Sequence, residues 1–389
     1  MKKVALVLSG GGFKGAFQLG ALQYLRDNWQ KINPTAPAMK FDIIAGVSVG
    51  ALNGALLAAG KFDALEGLWR DVAEKGPGEI YQSDFITTAD DSYAFNLNYK
   101  ALKDKFLPGM DFDKIPLGQI LKLALRKGQR QKYINDMMGR MEAVFLENFK
   151  KFRAIADNTP LKKKLEQHIS LSDIKDCTYM CGYVSLNSGG YYAMKHSDFV
   201  TNADFINGIL ASTTMPLVWE SVEEINTLYG RNRWLVDGGI KSVSPLNDVI
   251  EEINRDNAEY LIIVINCSSG TIEEEDFSDK NIVQITLRAL NDIAITEIFN
   301  NDLELFLTLN DIVQQVKAIK PDFTLYNYNY REHIRSNKPL KPFKCIVIQP
   351  ATGVLGDTLA TGRKLIERRI AHGIQKAKYA LLQYKYRGS

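Results

Sequence analysis

The sequence predicts an α/β fold built on a mainly parallel sheet, and three observations lead there. Two apolar runs of strand length, Val4-Ala5-Leu6-Val7-Leu8 and Phe41-Asp42-Ile43-Ile44-Ala45, each end in a glycine-rich turn that opens a helical pattern, which is the punctuation of strand, turn and helix. Two later runs, Tyr260-Leu261-Ile262-Ile263-Val264-Ile265-Asn266 and Cys345-Ile346-Val347-Ile348, are apolar and β-branched throughout, as strands covered on both faces are. Finally, 46% hydrophobic and 24% charged residues over a length of 389 suffice for a large core and exclude a disordered or fibrous chain. No internal repeat or low-complexity linker divides the chain, so a single domain over residues 1–389 is expected.

The first strand closes on Gly10-Gly11-Gly12-Phe13-Lys14-Gly15. Bare backbone N–H groups beside a helix N-terminus can hold developing negative charge, because unpaired donors and the helix dipole point the same way. The same letters satisfy the dinucleotide fingerprint, a weak pattern alone. A nucleotide-binding unit also wants an acidic residue at the end of its second strand, whereas Asp42 opens that strand here.

The second strand delivers Gly46-Val47-Ser48-Val49-Gly50. A serine between two glycines fits a nucleophile elbow, a turn so tight that larger neighbours would collide with backbone. Alone, the pattern could be a turn with a capping serine; the helix-like run 51–60 behind it and the apolar strand before it favour the elbow. A base is offered by Trp234-Leu235-Val236-Asp237-Gly238-Gly239, where a strand again ends in a polar residue and glycines. Asp237 would then lie at the carboxyl end of a strand, where open α/β sheets assemble their sites. The histidines, His168, His196, His333 and His372, lie in no strand-end or glycine-framed setting, so a dyad of Ser48 and Asp237 is preferred to a triad.

With these segments in hand, the chain resembles the patatin-like phospholipases. The likeness rests on the glycine loop with a basic residue before its last glycine, Gly-x-Ser-x-Gly, the Asp-Gly pair, and Ala211-Ser212-Thr213-Thr214-Met215-Pro216, which is similar to the family's Ala-Ser-x-x-x-Pro. It covers roughly residues 1–70 and 195–250, with a weaker echo of the family's closing helix in residues 359–382. The resemblance implies a three-layer α/β/α fold with a helical insertion, Ser48 as nucleophile and Asp237 as base. It implies an oxyanion hole in the segment Gly10, Gly11, Gly12, Lys14 and Gly15 together with Val49, the N–H groups of Gly11, Gly12 and Val49 being the donors. Gly46 and Gly50 frame the elbow, and Gly238 and Gly239 complete the Asp-Gly motif. Neither a cofactor nor a metal is implied, and the substrate would be a phospholipid or lysophospholipid. The sequence departs from the family in Lys14, where arginine is common and a bidentate contact is therefore lost, and in Ile240-Lys241-Ser242-Val243-Ser244, where the family is rich in asparagine.

Residues 76–180 read as a helical insertion. From residue 100 to 164 there are 16 Lys and Arg against 7 Asp and Glu, while the whole chain is only +3. Ile134, Met137, Met138, Met141, Val144, Phe145, Phe149, Phe152 and Ile155 recur at helical spacing among Arg140, Lys150, Lys151 and Arg153. Two readings stay open: a helix packing its apolar stripe on the core, or a lid that meets an anionic membrane surface with Lys and Arg while Met and Phe enter the headgroup boundary. Nucleic acid is not expected, since no binding motif accompanies the charge.

Cys177, Cys181, Cys267 and Cys345 are scattered and read as free thiols of a reducing compartment. Residues 4–8 are too short for a signal peptide and end in the glycine loop, and no run of about 18 apolar residues exists; a cytoplasmic enzyme is expected, with contact to a membrane only at its periphery. Residues 281–319 are helical in pattern, and 326–341 read as a loop or edge. A lipid acyl hydrolase is the expected activity. An acyltransferase or thioesterase on the same dyad, and a non-catalytic lipid- or nucleotide-binding protein, are the alternatives.

Overall fold

The computed structural model describes residues 3–89, 94–108, 127–256, 258–280, 282–329 and 334–387. Its strands in chain order are β1 (Lys3–Leu8), β2 (Ile43–Val47), β3 (Ile86–Ala89), β4 (Ala94–Leu97), β5 (Thr178–Ser185), β6 (Tyr191–Lys195), β7 (Val222–Thr227), β8 (Gly230–Asp237), β9 (Tyr260–Ile265), β10 (Tyr326–Asn329), β11 (Ile334–Pro339) and β12 (Lys344–Ile348). The helices are α1 (Ala16–Asp27), α2 (Val49–Ala58), α3 (Phe62–Lys75), α4 (Tyr99–Phe106), α5 (Lys127–Lys151), α6 (Thr159–His168), α7 (Asn202–Thr213), α8 (Leu246–Ile253), α9 (Ile282–Leu287), α10 (Ile295–Ile319) and α11 (Arg363–Arg387), with a π-helical turn, Arg288–Ala294, between α9 and α10.

The β-branched runs fill the centre of one sheet, ordered β12-β9-β1-β2-β5-β8-β7 with β6 on β5. From β12 to β5 every pairing is parallel, whereas β6, β7 and β8 are antiparallel. The two-residue alternation of a strand divides the core. Val4, Leu6 and Leu8 of β1 join the larger apolar cluster with α1, α2, α3, α7 and α11, while Ala5 and Val7 join the smaller one with α8 and α10. This is the α/β/α layering and mainly parallel sheet expected from the sequence.

Helix α11, the expected closing helix, crosses α1 almost at backbone contact. A Cβ on Gly20 would lie 1.9 Å from the Ile370 carbonyl oxygen, and one on Gly373 would lie 2.1 Å from that of Phe17. Because α1 springs from the glycine loop, this crossing ties the far end of the chain to residues 10–15.

The insertion is not wholly helical. It opens with the hairpin β3–β4, where Thr87 and Thr88 supply β-branched residues, and continues into α4 and α5; residues 109–126 lie outside the described residues. Nor does the stripe on α5 pack on the core. Met138 and Phe149 are 60% and 56% exposed, and Met137, Phe145 and Leu146 are exposed as well. Phe145 and Phe149 stack on each other and against Phe106 of α4, and Phe152 closes that cluster against Phe85. Only Ile155, past the end of the helix, is fully buried; the side chain of Ile134 lies outside the described residues. Within residues 326–341, expected as loop or edge, β10 and β11 pair antiparallel as a separate two-stranded sheet.

Candidate active site

Strands β2 and β8 meet tip to tip. Both pair with the same flank of β5, since β6 occupies the other: Val47 stands opposite Gly182 and Asp237 opposite the next residue, Tyr183. Because β2 runs parallel to β5 and β8 antiparallel, their two carboxyl ends face each other, and the residues leaving those ends are Ser48 and Asp237. The two are brought together by opposed strands, not by neighbouring parallel ones.

Ser48 takes φ 56° and ψ −130°, a conformation non-glycine residues rarely adopt. The tightness is visible in its neighbours: a Cβ on Gly46 would lie 2.2 Å from the Gly50 carbonyl oxygen, and one on Gly50 would lie 2.2 Å from that of Leu8. The strained turn is held from beneath by Ser212, whose Oγ accepts the Ser48 N–H at 3.0 Å and donates to the Gly182 carbonyl at 2.6 Å. Thus the Ala-Ser-x-x-x-Pro segment ties the elbow to β5. The resemblance of residues 211–216 to that motif was its sequence signal, though not the role of the Ser212 hydroxyl.

Asp237 is 6% exposed, and Ser48 is close enough to its carboxyl to bear on its proton affinity. The Asp237 Oδ1 accepts the Gly239 N–H at 2.7 Å, and its own N–H donates to the Thr214 carbonyl at 2.8 Å. Burial pushes the carboxyl up to about 7, against the opposing effect of Ser48 and the Gly239 N–H, because a charge taken out of water is disfavoured.

In the glycine loop Gly11 and Gly12 have φ of +151° and +53°. Among the described residues nothing accepts their N–H groups, nor that of Val49, which opens α2. The Gly10 N–H is engaged with the Val243 carbonyl at 3.0 Å, and that of Phe13 with the Thr358 carbonyl at 3.0 Å. Gly15 is a packing position, since a Cβ there would lie 2.2 Å from Val49. Lys14 departs furthest from the expectation: it lines a different cavity, with Cys267, Asp292 and Asp357, and burial pulls its ammonium down.

Beneath the loop lies a buried polar network that sequence reasoning missed. Asn53 donates to the Gly15 carbonyl and to Gln18, Gln18 donates to the Ser9 carbonyl, and the Trp69 indole donates to Asn53. Buried polar groups of this kind fix geometry when all are satisfied. Asn53 and Gln18, single amides in apolar helices, were the available hint.

Ser48 opens onto an apolar cavity whose walls include Leu52, Trp69, Val72, Leu161, Met215 and Trp219. The histidines stand elsewhere. His196 Nδ1 accepts the Tyr179 N–H, His372 Nε2 accepts that of Ala351, and His168 ends α6; His333 lies outside the described residues. Among the described residues no group of three or more His, Cys, Asp or Glu could hold a metal, and no helix is long and apolar enough to cross a membrane.

Comparison with solved structures finds VipD from Legionella pneumophila, 15% identical with a TM-score of 0.38, over 99% of this chain and 67% of that one. It also finds ExoU in its complex with SpcU from Pseudomonas aeruginosa, 15% identical with a TM-score of 0.28, over 98% of this chain and 52% of that one. The chain therefore spans about two thirds of the first and half of the second. Curated proteins give no match. The profile of the patatin-like phospholipases matches residues 6–250, a stretch that contains both Ser48 and Asp237. The chain belongs to the patatin-like phospholipase family.

Proposed function

We propose that this protein is a lipid acyl hydrolase of the phospholipase A or lysophospholipase type, acting through Ser48 and Asp237. Family membership supports lipid hydrolysis in general. The finer reading is carried by one observation: Ser48, which lines an apolar cavity, is close enough to the buried carboxyl of Asp237 to bear on its proton affinity.

Asp237 takes the Ser48 proton as the hydroxyl attacks an acyl ester carbonyl, and the N–H groups of Gly11, Gly12 and Val49 hold the oxyanion. The same carboxyl then returns the proton to the departing alcohol or lysolipid. An acyl-Ser48 ester remains, which water, deprotonated by Asp237, cleaves to release the fatty acid. Burial serves this chemistry, since a carboxyl with a pKa near 7 is a stronger base than an exposed one. The exposed basic helix α5 supports contact with an anionic lipid surface, the substrate's own medium.

The test is fatty-acid release from phospholipid and lysophospholipid vesicles by the wild type and Ser48→Ala together. Release is expected from the wild type and a loss of at least about 10³-fold in the variant. Equal release by both overturns the dyad. Fluorophosphonate labelling of Ser48 without lipid release points instead to the acyltransferase or thioesterase reading.

A further inference from the structure

A second cleft lies on the other side of the sheet, between α8, α10 and the chain after β11. Only the loop that follows Asp237 separates it from the dyad: the Val243 carbonyl accepts the Gly10 N–H, and the Cβ position of Gly10 is 3.2 Å from Ser48 Cβ and 3.8 Å from Val243 Cγ1. Its two ends differ in chemistry. One wall is apolar and includes Leu305, Leu309, Val313, Leu340 and Phe343; Leu305 is 60% exposed.

The other end is polar and unsatisfied. Ser244 is 2% exposed, lines the cleft, and its hydroxyl has no hydrogen-bond partner, a costly arrangement for a buried hydroxyl unless something fills the site. Beside it Asp248 accepts a hydrogen bond from the Tyr191 hydroxyl at 3.0 Å, and Asp302 lines the same space. Lys241 and Lys341 also line it. Among the described residues none of these four charges belongs to an ion pair. Burial, together with the neighbouring Glu251 and Asp302, pushes Asp248 up to about 6, so at neutral pH this end carries carboxylates and ammonium groups that no ion pair joins.

We propose that the cleft is a second lipid site that takes a single-chain zwitterionic amphiphile. Its ammonium meets Asp248 and Asp302, its phosphate meets Lys241, Lys341 and the Ser244 hydroxyl, and its chain lies along α10. Opposite charges on one lining select a headgroup that carries both, and the apolar wall removes the chain from water. The site does not depend on turnover at Ser48.

Binding is measured on the Ser48→Ala protein, by calorimetric titration with dodecylphosphocholine below its micelle concentration. Asp248→Asn keeps an acceptor for Tyr191 and removes the charge; Leu305→Ser changes an exposed position and leaves the core intact. Each is expected to weaken binding about tenfold, through one lost charged contact in Asp248→Asn and through lost apolar burial in Leu305→Ser, and dodecyl sulfate, which lacks the ammonium, is expected to bind at least tenfold more weakly. Unchanged affinity in both variants, dodecyl sulfate binding as tightly, or no binding of dodecylphosphocholine overturns the proposal.

Discussion

The N–H of Phe13 donates to the carbonyl of Thr358 at 3.0 Å, joining the glycine loop to a segment far outside the stretch the family profile matches. That segment is held by Arg369, which is fully buried and donates to the carbonyls of Leu355, Asp357 and Ala360. Burial pulls the guanidinium down to about 10, yet it stays charged and satisfied by three acceptors.

Arg369→Met is therefore expected to loosen the glycine loop. Two buried carbonyls, of Leu355 and Ala360, lose their donors at about 1–3 kcal/mol each before relaxation, and the part-buried carbonyl of Asp357 loses its own, so melting should drop clearly. Below that melting point kcat should fall about tenfold or more while KM changes little, because in the proposed mechanism the loop acts on the oxyanion and not on the chain. Full turnover in a folded variant would sink this role.

The pH dependence follows from Asp237. A general base must be ionised, and burial has raised this carboxyl from 3.8 to about 7, so kcat/KM should rise with pH and level off above about 7. Stability moves the other way. A group whose folded pKa is raised stabilises the fold fully below its unfolded value and loses that contribution as pH climbs through the folded value. Between about pH 4 and 7 the protein should lose stability on this account, by up to about 4 kcal/mol for a shift of that size. Asp237→Asn should lack this slope and melt higher than the wild type at pH 8 while hydrolysing almost nothing. Thermal melts across pH for both proteins provide the check; identical slopes would count against the buried base.

Much of the framework was legible because periodicity writes it directly. The runs 4–8, 260–265 and 345–348 fall in β1, β9 and β12, and Gly46 is forced by the local backbone of Gly50, whereas Gly50 and Gly238 are forced by the distant backbone of Leu8 and Gly182. The approach of Ser48 and Asp237 was legible only as an expectation, because β8 reaches β5 in the antiparallel sense and nothing local encodes strand order. Lys14 shows the same limit: its charge is plain in the sequence, but the direction of its side chain depends on Cys267, Asp292 and Asp357, which come from distant segments. The stripe on α5 fitted packing and exposure equally well, since spacing defines a face without saying what covers it.

Ser212 tests how far the strained elbow needs support. Removing its Oγ in Ser212→Ala leaves the Ser48 N–H and the Gly182 carbonyl unpaired in the interior, at about 1–3 kcal/mol each. Ser48 should then sample conformations in which its hydroxyl leaves Asp237. We expect kcat to fall about 10- to 100-fold, with KM and the pH midpoint near 7 retained, because the surroundings of Asp237 are unchanged. A shifted midpoint with normal kcat would mean that Ser212 tunes the base and does not hold the nucleophile.

Helix α5 carries Lys132, Arg140, Lys150 and Lys151 on exposed positions beside exposed Met138 and Phe149. Near an anionic surface each such cation contributes about 1 kcal/mol of attraction. Reversing Arg140, Lys150 and Lys151 to Glu should therefore cut fatty-acid release from anionic vesicles by tenfold or more at low salt. The deficit should shrink as ionic strength rises and the Debye length falls below about 8 Å. Hydrolysis of a monomeric soluble ester should be untouched, since the walls of the Ser48 cavity come from α2, α3, α6 and the segment after α7. The melting point should hardly move, because exposed charges contribute little to folding. If the triple reversal hydrolyses anionic vesicles as fast as the wild type at every salt concentration, the basic face of α5 is solvated surface, and the lipid must reach Ser48 by another side of the molecule.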